Sequence, residues 1–215
     1  MAKKNKEKEK YIDDNSYTGE NGVKKFINTN NKNDEETKTI DSDGLYRICV
    51  YGANAKEGGK GGKQCATHYF HKNNEIKFTY ESQIAGGKGG KVCGLIFSGD
   101  GYNGGGLSMA EFGNEFLIIG GGGGGNSESN GNKGGDYDEN EYSKGCIGYN
   151  INNSKGGNTG RYCGGGGGNG FYGGVGGNPG KGGKGDLNCC KASSCELSDT
   201  NEKTYSGYEI IKKTK

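Results

Sequence analysis

Phe116-Leu117-Ile118-Ile119-Gly120-Gly121-Gly122-Gly123-Gly124-Gly125 decides the reading of this chain. Four large apolar residues that favour a buried strand run without a break into six residues with no side chain. A flexible linker has no reason to begin on a core strand. An ordered glycine segment does, because something with side chains must anchor and align its backbone. The chain is therefore expected to alternate a few anchoring strands with glycine segments that pack backbone against backbone.

The same alternation extends in both directions. Upstream, Leu45-Tyr46-Arg47-Ile48-Cys49-Val50-Tyr51 is the clearest strand, set off by the turn pair Asp43-Gly44 and followed by glycine-rich 52–63. Tyr69-Phe70 and Glu75–Ile84 read as strands; in the latter Ile76, Phe78 and Tyr80 alternate with Lys77 and Thr79, as on a sheet with one wet face. Gly86–Lys91 leads to a strand at Val92–Phe97, and glycine-rich 99–106 leads back to the Phe116 strand. Downstream, 163–185 is glycine-rich again, and Tyr208-Glu209-Ile210-Ile211 closes the chain as a strand. A short strand centred on Phe26 opens it. Apolar residues at helical spacing and free of glycine are absent, so the expectation is all-β.

Residues 1–15 are charged and read as a disordered tail, leaving 16–215 as one glycine-rich domain. Within it, 28–40 reads as a solvated polar loop and 126–160 as an acidic, polar excursion. Glycine makes up 48 of 215 residues, and all but Gly19 and Gly22 lie at or after Gly44. Pro179 is the single proline, which excludes collagen. Low-complexity disorder fits the glycine content but not 14 Tyr and 7 Phe, nor the clustering of the aliphatic residues. Glycine loses the most backbone entropy on ordering, so extended glycine chains recover that loss only side by side, through interchain N–H···O and Cα–H···O contacts.

A net charge of +2 gives no electrostatic case for nucleic acid, and Arg47 and Arg161 are too few for an arginine–glycine RNA-binding tail. No stretch approaches the roughly 18–20 apolar residues of a membrane span. The first ten residues lack the apolar stretch of a secretory signal, which points inside the cell. Eight cysteines, Cys49, Cys65, Cys93, Cys146, Cys163, Cys189, Cys190 and Cys195, point instead to an oxidising compartment. They are open to disulfides, to a reduced packed state, or to structural zinc.

Candidate chemistry is sparse. Gly99-Asp100-Gly101-Tyr102-Asn103-Gly104 spells a nucleotide-loop pattern, but no helix follows it. Glu111-Phe112-Gly113 imitates a kinase motif with glutamate in place of the metal-binding aspartate, and no catalytic loop accompanies it. Asp136–Asn140 begins like a calcium loop, but Glu141 holds the glycine position and Ile147 that of the bidentate glutamate. Cys65, His68 and His71 suit zinc by type, yet on a strand 65 and 71 share a face that 68 does not. No cofactor is expected. Lys60, Lys63, Lys88, Lys91, Lys181 and Lys184 stand within or beside glycine segments, either as a basic ridge for an acidic partner or as solubilising charge.

The order of these motifs resembles the glycine-rich extracellular domain of the anaplastic lymphoma kinase and leukocyte tyrosine kinase receptor family. Tyr17-Thr18-Gly19 with Phe26, Gly44-Leu45-Tyr46, Val50-Tyr51-Gly52-Ala53 and Gly58–Gly62 resemble its opening. Tyr102–Gly106 and Phe116–Gly125 resemble its middle, and Cys163–Gly177 with Gly207–Lys212 its end. The resemblance implies tumour-necrosis-factor-like jelly-roll strands that hold a packed array of polyglycine II helices. It implies a cell-surface or extracellular setting, a protein ligand or self-association, and a receptor protein-tyrosine kinase context without a kinase domain here. A structural coat component and a largely disordered cytoplasmic protein are the alternatives.

Overall fold

The computed structural model describes residues 22–26, 33–90, 101–126, 143–144, 146, 154–158, 165–174, 176–177, 183–185, 188–203 and 205–213. Twelve strands form among them: β1 (Gly22–Phe26), β2 (Asp34–Thr39), β3 (Gly44–Tyr51), β4 (Gly62–Phe70), β5 (Glu75–Tyr80), β6 (Ser108–Phe112), β7 (Phe116–Gly120), β8 (Ser143–Lys144), β9 (Cys189–Lys191), β10 (Ser194–Cys195), β11 (Asp199–Thr200) and β12 (Gly207–Lys212). No helix occurs among the described residues, as the glycine-broken periodicity leads one to expect. The strand expected at Val92–Phe97 lies outside them.

Two sheets face each other. One has the order β1-β12-β3-β4-β10, with β11 also on β4; the other runs β2-β5-β6-β7-β9-β8. All pairings are antiparallel except β8 with β9. Alternation along each strand sends one set of side chains into the space between the sheets. Tyr46, Ile48, Val50, Ala66, Phe70, Tyr208 and Ile210 enter from the first sheet; Ile76, Phe78, Tyr80, Ala110, Phe116, Ile118 and Cys190 from the second. Phe78 stacks on Tyr208 across the gap at 3.9 Å between ring centres, and Phe70 meets Phe112 and Phe116 edge-on. Burying each of these aromatic rings stabilises the fold by roughly 1.5–3 kcal/mol.

Two expectations need correction. Asp34–Thr39, read as solvated loop, is the edge strand β2, paired along its length with β5. It has no apolar residue because an edge strand needs only backbone pairing, and its charges discourage further pairing. Glu35 binds Lys77 (3.2 Å), and Glu36 takes the Tyr80 hydroxyl (3.2 Å). Second, β4 starts at Gly62, inside what read as a glycine segment; Lys63 and Gln64 pair with Tyr51 and Val50.

The glycine segments gather at one end of the sandwich, where β3, β5 and β7 stop and β4, β6 and β12 start. Neighbouring strands sit about 4.7–4.9 Å apart, and chains leaving them without Cβ atoms can keep that spacing on every side. Segment 165–170 illustrates the result. Gly166 N–H and Asn169 N–H donate to Tyr102 and Gly105 (2.8 and 2.9 Å). Gly167 and Gly170 donate to Gly157 and Ser154, and Gly168 to Lys184. Its carbonyls accept from Gly87, from Gly122 and Gly125, and from Gly174 and Gly177. Residues three apart thus face the same neighbour, and six other segments surround this one.

Segment 120–126 repeats the period: Gly122 and Gly125 donate to 165–170, while Gly123 and Asn126 donate to Ala53 and Glu57. Most of these glycines lack a left-handed backbone; a neighbour occupies their side-chain space instead. A Cβ on Gly123 would lie on the Gly59 carbonyl oxygen, one on Gly166 on that of Gly87, and one on Gly168 on that of Gly122. Glycine is required here for close approach of backbone.

Candidate functional site

Asparagine side chains, three of them buried, hold the array in register at its margins. Asn169 is nearly solvent-free; its Oδ1 accepts from Gly156 N–H (2.7 Å), and its Nδ2 donates to Glu81 Oε2 (2.7 Å) and the Ala85 carbonyl (3.0 Å). Asn188 accepts from Gly121 N–H (2.8 Å) and donates to the Lys63 carbonyl (3.1 Å). Asn201 donates to the Gly52 and Tyr205 carbonyls (2.7 and 3.1 Å), while its own N–H reaches Gly61 (2.8 Å). Asn54, Asn103 and Asn158 accept from Gly61, Gly89 and Lys88. An amide carries donors and an acceptor together, so it can satisfy the mixed N–H and C=O groups at the end of a backbone lattice. These residues were not singled out from sequence, where asparagine beside glycine reads as turn.

Glu81 connects array and sandwich. Its Oε2 accepts from Leu107 N–H (3.0 Å) as well as Asn169, and its carbonyl accepts the Ser206 hydroxyl (2.6 Å). Burial pushes its carboxyl above the ordinary range, against the pull of the two hydrogen bonds and Lys155.

Six of the eight cysteines are paired in three disulfides: Cys49–Cys65, Cys146–Cys189 and Cys190–Cys195. Cys93 and Cys163 lie outside the described residues. Cys49 and Cys65 are direct cross-strand partners on β3 and β4, so their bond closes the neck of loop 52–61. Cys189 and Cys190 are consecutive on β9 and point to opposite faces. Cys189 joins Leu107, Met109, Ile119 and Phe171 in a second apolar cluster, and Cys190 enters the core between the sheets. The Cys190–Cys195 bond links β9 in one sheet to β10 in the other.

The zinc trio does not converge. Cys65 is in its disulfide, His68 packs beside Phe70 and Phe116, and His71 lies 3.6 Å from Asp43. Among the described residues no group of three metal-binding side chains occurs. Of the lysines, Lys60 binds Glu202 (3.0 Å), Lys63 stands 5.9 Å over the Tyr51 ring, and Lys88 and Lys184 are exposed. Lys91 and Lys181 lie outside the described residues. Within the nucleotide-loop pattern Gly101, Tyr102 and Gly104 donate to Gly90, Asn126 and Gly87, so these three amides are engaged by other backbone; Gly99 and Asp100 lie outside the described residues. The calcium-loop pattern lies outside the described residues.

The end opposite the array exposes two large apolar side chains. Leu45 and Tyr69 are cross-strand partners, 46% and 47% exposed, and Tyr69 stacks edge-on with His71. Beside them Arg47 grips Glu196 through two 2.6 Å bonds. On the inner side, Lys38, Ile40, Asp41, Ser42, Tyr46, Ile210 and Lys212 line a cavity of about 200 Å³. Its polar groups satisfy one another: Tyr46 donates to the Ser42 carbonyl (2.8 Å), and Lys212 to the Ser42 hydroxyl (2.5 Å). This cluster fastens the end of the sandwich. No helix among the described residues is long and apolar enough to cross a membrane.

Compared with known protein families the chain matches none, and no curated protein is similar in sequence.

Proposed function

We propose that this chain is a non-catalytic, glycine-rich binding module of the kind found in the extracellular part of the anaplastic lymphoma kinase and leukocyte tyrosine kinase receptors. In this reading the glycine segments are polyglycine II helices, and the two sheets are a variant of a jelly roll. First and last strands lie side by side, although β5, β6 and β7 pair in sequence as a meander. The observation that carries the reading is segment 165–170, with its three-residue period and six neighbours. Three residues per turn is the repeat of an extended left-handed helix. Such a lattice is costly in chain entropy and offers no nucleophile or acid–base pair, so its use is shape: a stiff body that holds a sandwich rigidly toward a protein partner or a second copy.

The three disulfides favour an oxidising, extracellular or cell-surface setting. The test is expression of the chain behind a secretory leader, followed by light scattering and by crosslinking on intact cells with Leu45→Glu/Tyr69→Glu as control. The reading expects a secreted, disulfide-bonded product that self-associates or crosslinks to one surface protein, and loss of that contact in the double variant. A secreted, folded chain that stays monomeric and crosslinks to nothing would contradict it.

A further inference from the structure

One residue outside the array is placed to respond to pH. Strand β9 belongs to one sheet and β10 to the other, so residues 191–194 form a strap across the end of the sandwich. Ala192 of this strap packs on the core. The next residue, Ser193, points both of its polar hydrogens at one atom: its N–H donates to His68 Nδ1 (3.3 Å), and its hydroxyl lies 2.9 Å from the same nitrogen. A backbone N–H can only donate, so His68 Nδ1 is the acceptor and the ring is the neutral form with its proton on Nε2. Sequence spacing explains the placement, because 68 shares the inward face of β4 with Phe70, and its ring lies 4.9 and 5.5 Å from those of Phe70 and Phe116.

We propose that His68 is an acid-released latch on the strap that joins the two sheets. Protonation puts a hydrogen on Nδ1, where it meets the Ser193 N–H donor to donor. The hydroxyl can rotate and accept, but the backbone N–H loses its partner and turns to water. The Cys190–Cys195 bond spans the same gap, so the sheets stay joined while the strap lifts. The change is therefore local, uncovering Ala192 and the edge of the Phe112–Phe116 hairpin rather than unfolding the sandwich.

The direction follows from the surroundings. Burial disfavours the imidazolium and lowers the His68 pKa, and Glu115 on the β6–β7 turn opposes this. Among the described residues no other charge shifts the ring: its cross-strand partner on β3 is Tyr46, β7 offers Phe116, and the strap offers Ser193. A base whose folded pKa is lowered contributes stability present above its ordinary value of 6.5, and that stability is lost as pH falls below it. The latch holds at neutral pH and opens in acid.

Amide exchange of Ser193, read by NMR between pH 5 and 8 after correction for the intrinsic rate, tests this directly. Ser193 protection should fall on the order of tenfold for each unit below the ordinary imidazole value of 6.5 and level off at the lowered His68 midpoint, while core amides such as Ile48 and Ile118 hold. His68→Asn places an acceptor where Nδ1 stands but does not titrate, and its Ser193 profile should be flat. Glu115→Gln, on an exposed turn, should move the wild-type transition to lower pH. Constant Ser193 protection at pH 5 in the wild-type chain would overturn the proposal. So would a transition that His68→Asn retains, or one that Glu115→Gln leaves in place.

Discussion

Alanine at Gly123 separates a packed array from any looser arrangement of the same chain. Gly123 has no left-handed backbone, so alanine meets no conformational objection of its own. In a flexible glycine run the substitution would stabilise by about 0.4–1 kcal/mol, because it restricts the unfolded chain. Here the added Cβ would fall on the Gly59 carbonyl oxygen, with the Lys60 carbonyl carbon at 2.9 Å. Both are backbone, so nothing can rotate away and segments 52–61 and 120–126 must part. Parting them loosens Gly123 N–H to Ala53 (3.1 Å) and Gly59 N–H to Gly124 (2.8 Å). At about 0.5–1.5 kcal/mol for each bond and about 1–3 for overpacking, the cost is roughly 2–6 kcal/mol. A drop of about 4–24 °C in melting temperature follows for a chain of this size. Urea titration monitored by tyrosine fluorescence and circular dichroism reads it. Gly113→Ala is the control: Gly113 has φ of +50° with nothing within 4 Å, so it loses only the roughly 1–2 kcal/mol of a left-handed alanine. A Gly123→Ala variant as stable as wild type would refute the reasoning.

Asn169→Ala leaves Gly156 N–H, Glu81 and the Ala85 carbonyl without their partner; chemical denaturation should show a loss of about 2–4 kcal/mol. Glu81 has a raised pKa, so its share of stability is present below the ordinary carboxyl value of 4.5 and lost as pH rises through the folded value. Glu81→Gln should therefore flatten the fall in melting temperature between pH 4 and neutrality. Equal slopes in the two proteins would contradict that. The Cys49→Ala/Cys65→Ala pair frees the neck of loop 52–61 and should cost about 3 kcal/mol for a loop of that length, measured by denaturation without reductant. Thiol titration of the unreduced, unfolded chain should find no more than two of the eight cysteines free, since three disulfides are formed.

The parts of the fold legible in the sequence are those where side chains do the specifying. Strands β3, β5, β7 and β12 carry alternating or continuous apolar residues, and each could be placed within a few positions. Strand β2 was hidden because Asp34–Thr39 pairs through backbone and carries only charge and threonine. The start of β4 was hidden because Gly62-Lys63-Gln64 continues a glycine-rich run in composition while its backbone already pairs with β3. Where glycine had to be ordered was readable from Phe116–Ile119 entering Gly120. Which segment touches which was not, since a residue without a side chain carries no label for its neighbour. The asparagines illustrate the same limit: Asn169 is one polar residue in a glycine run until Glu81, Ala85 and Gly156 are brought around it. The pairing of the cysteines depended on the face each strand position takes, which separates Cys189 from Cys190 although they are adjacent in sequence.

Native-state amide exchange at Gly166–Gly170 tests the central claim most directly. Each of these five N–H groups donates to another segment, so they should exchange only with opening that approaches global unfolding, as the Ile118 amide does. Exchange at the intrinsic rate of a free glycine chain, while Ile118 stays protected, would show that the sandwich is folded and the array is not.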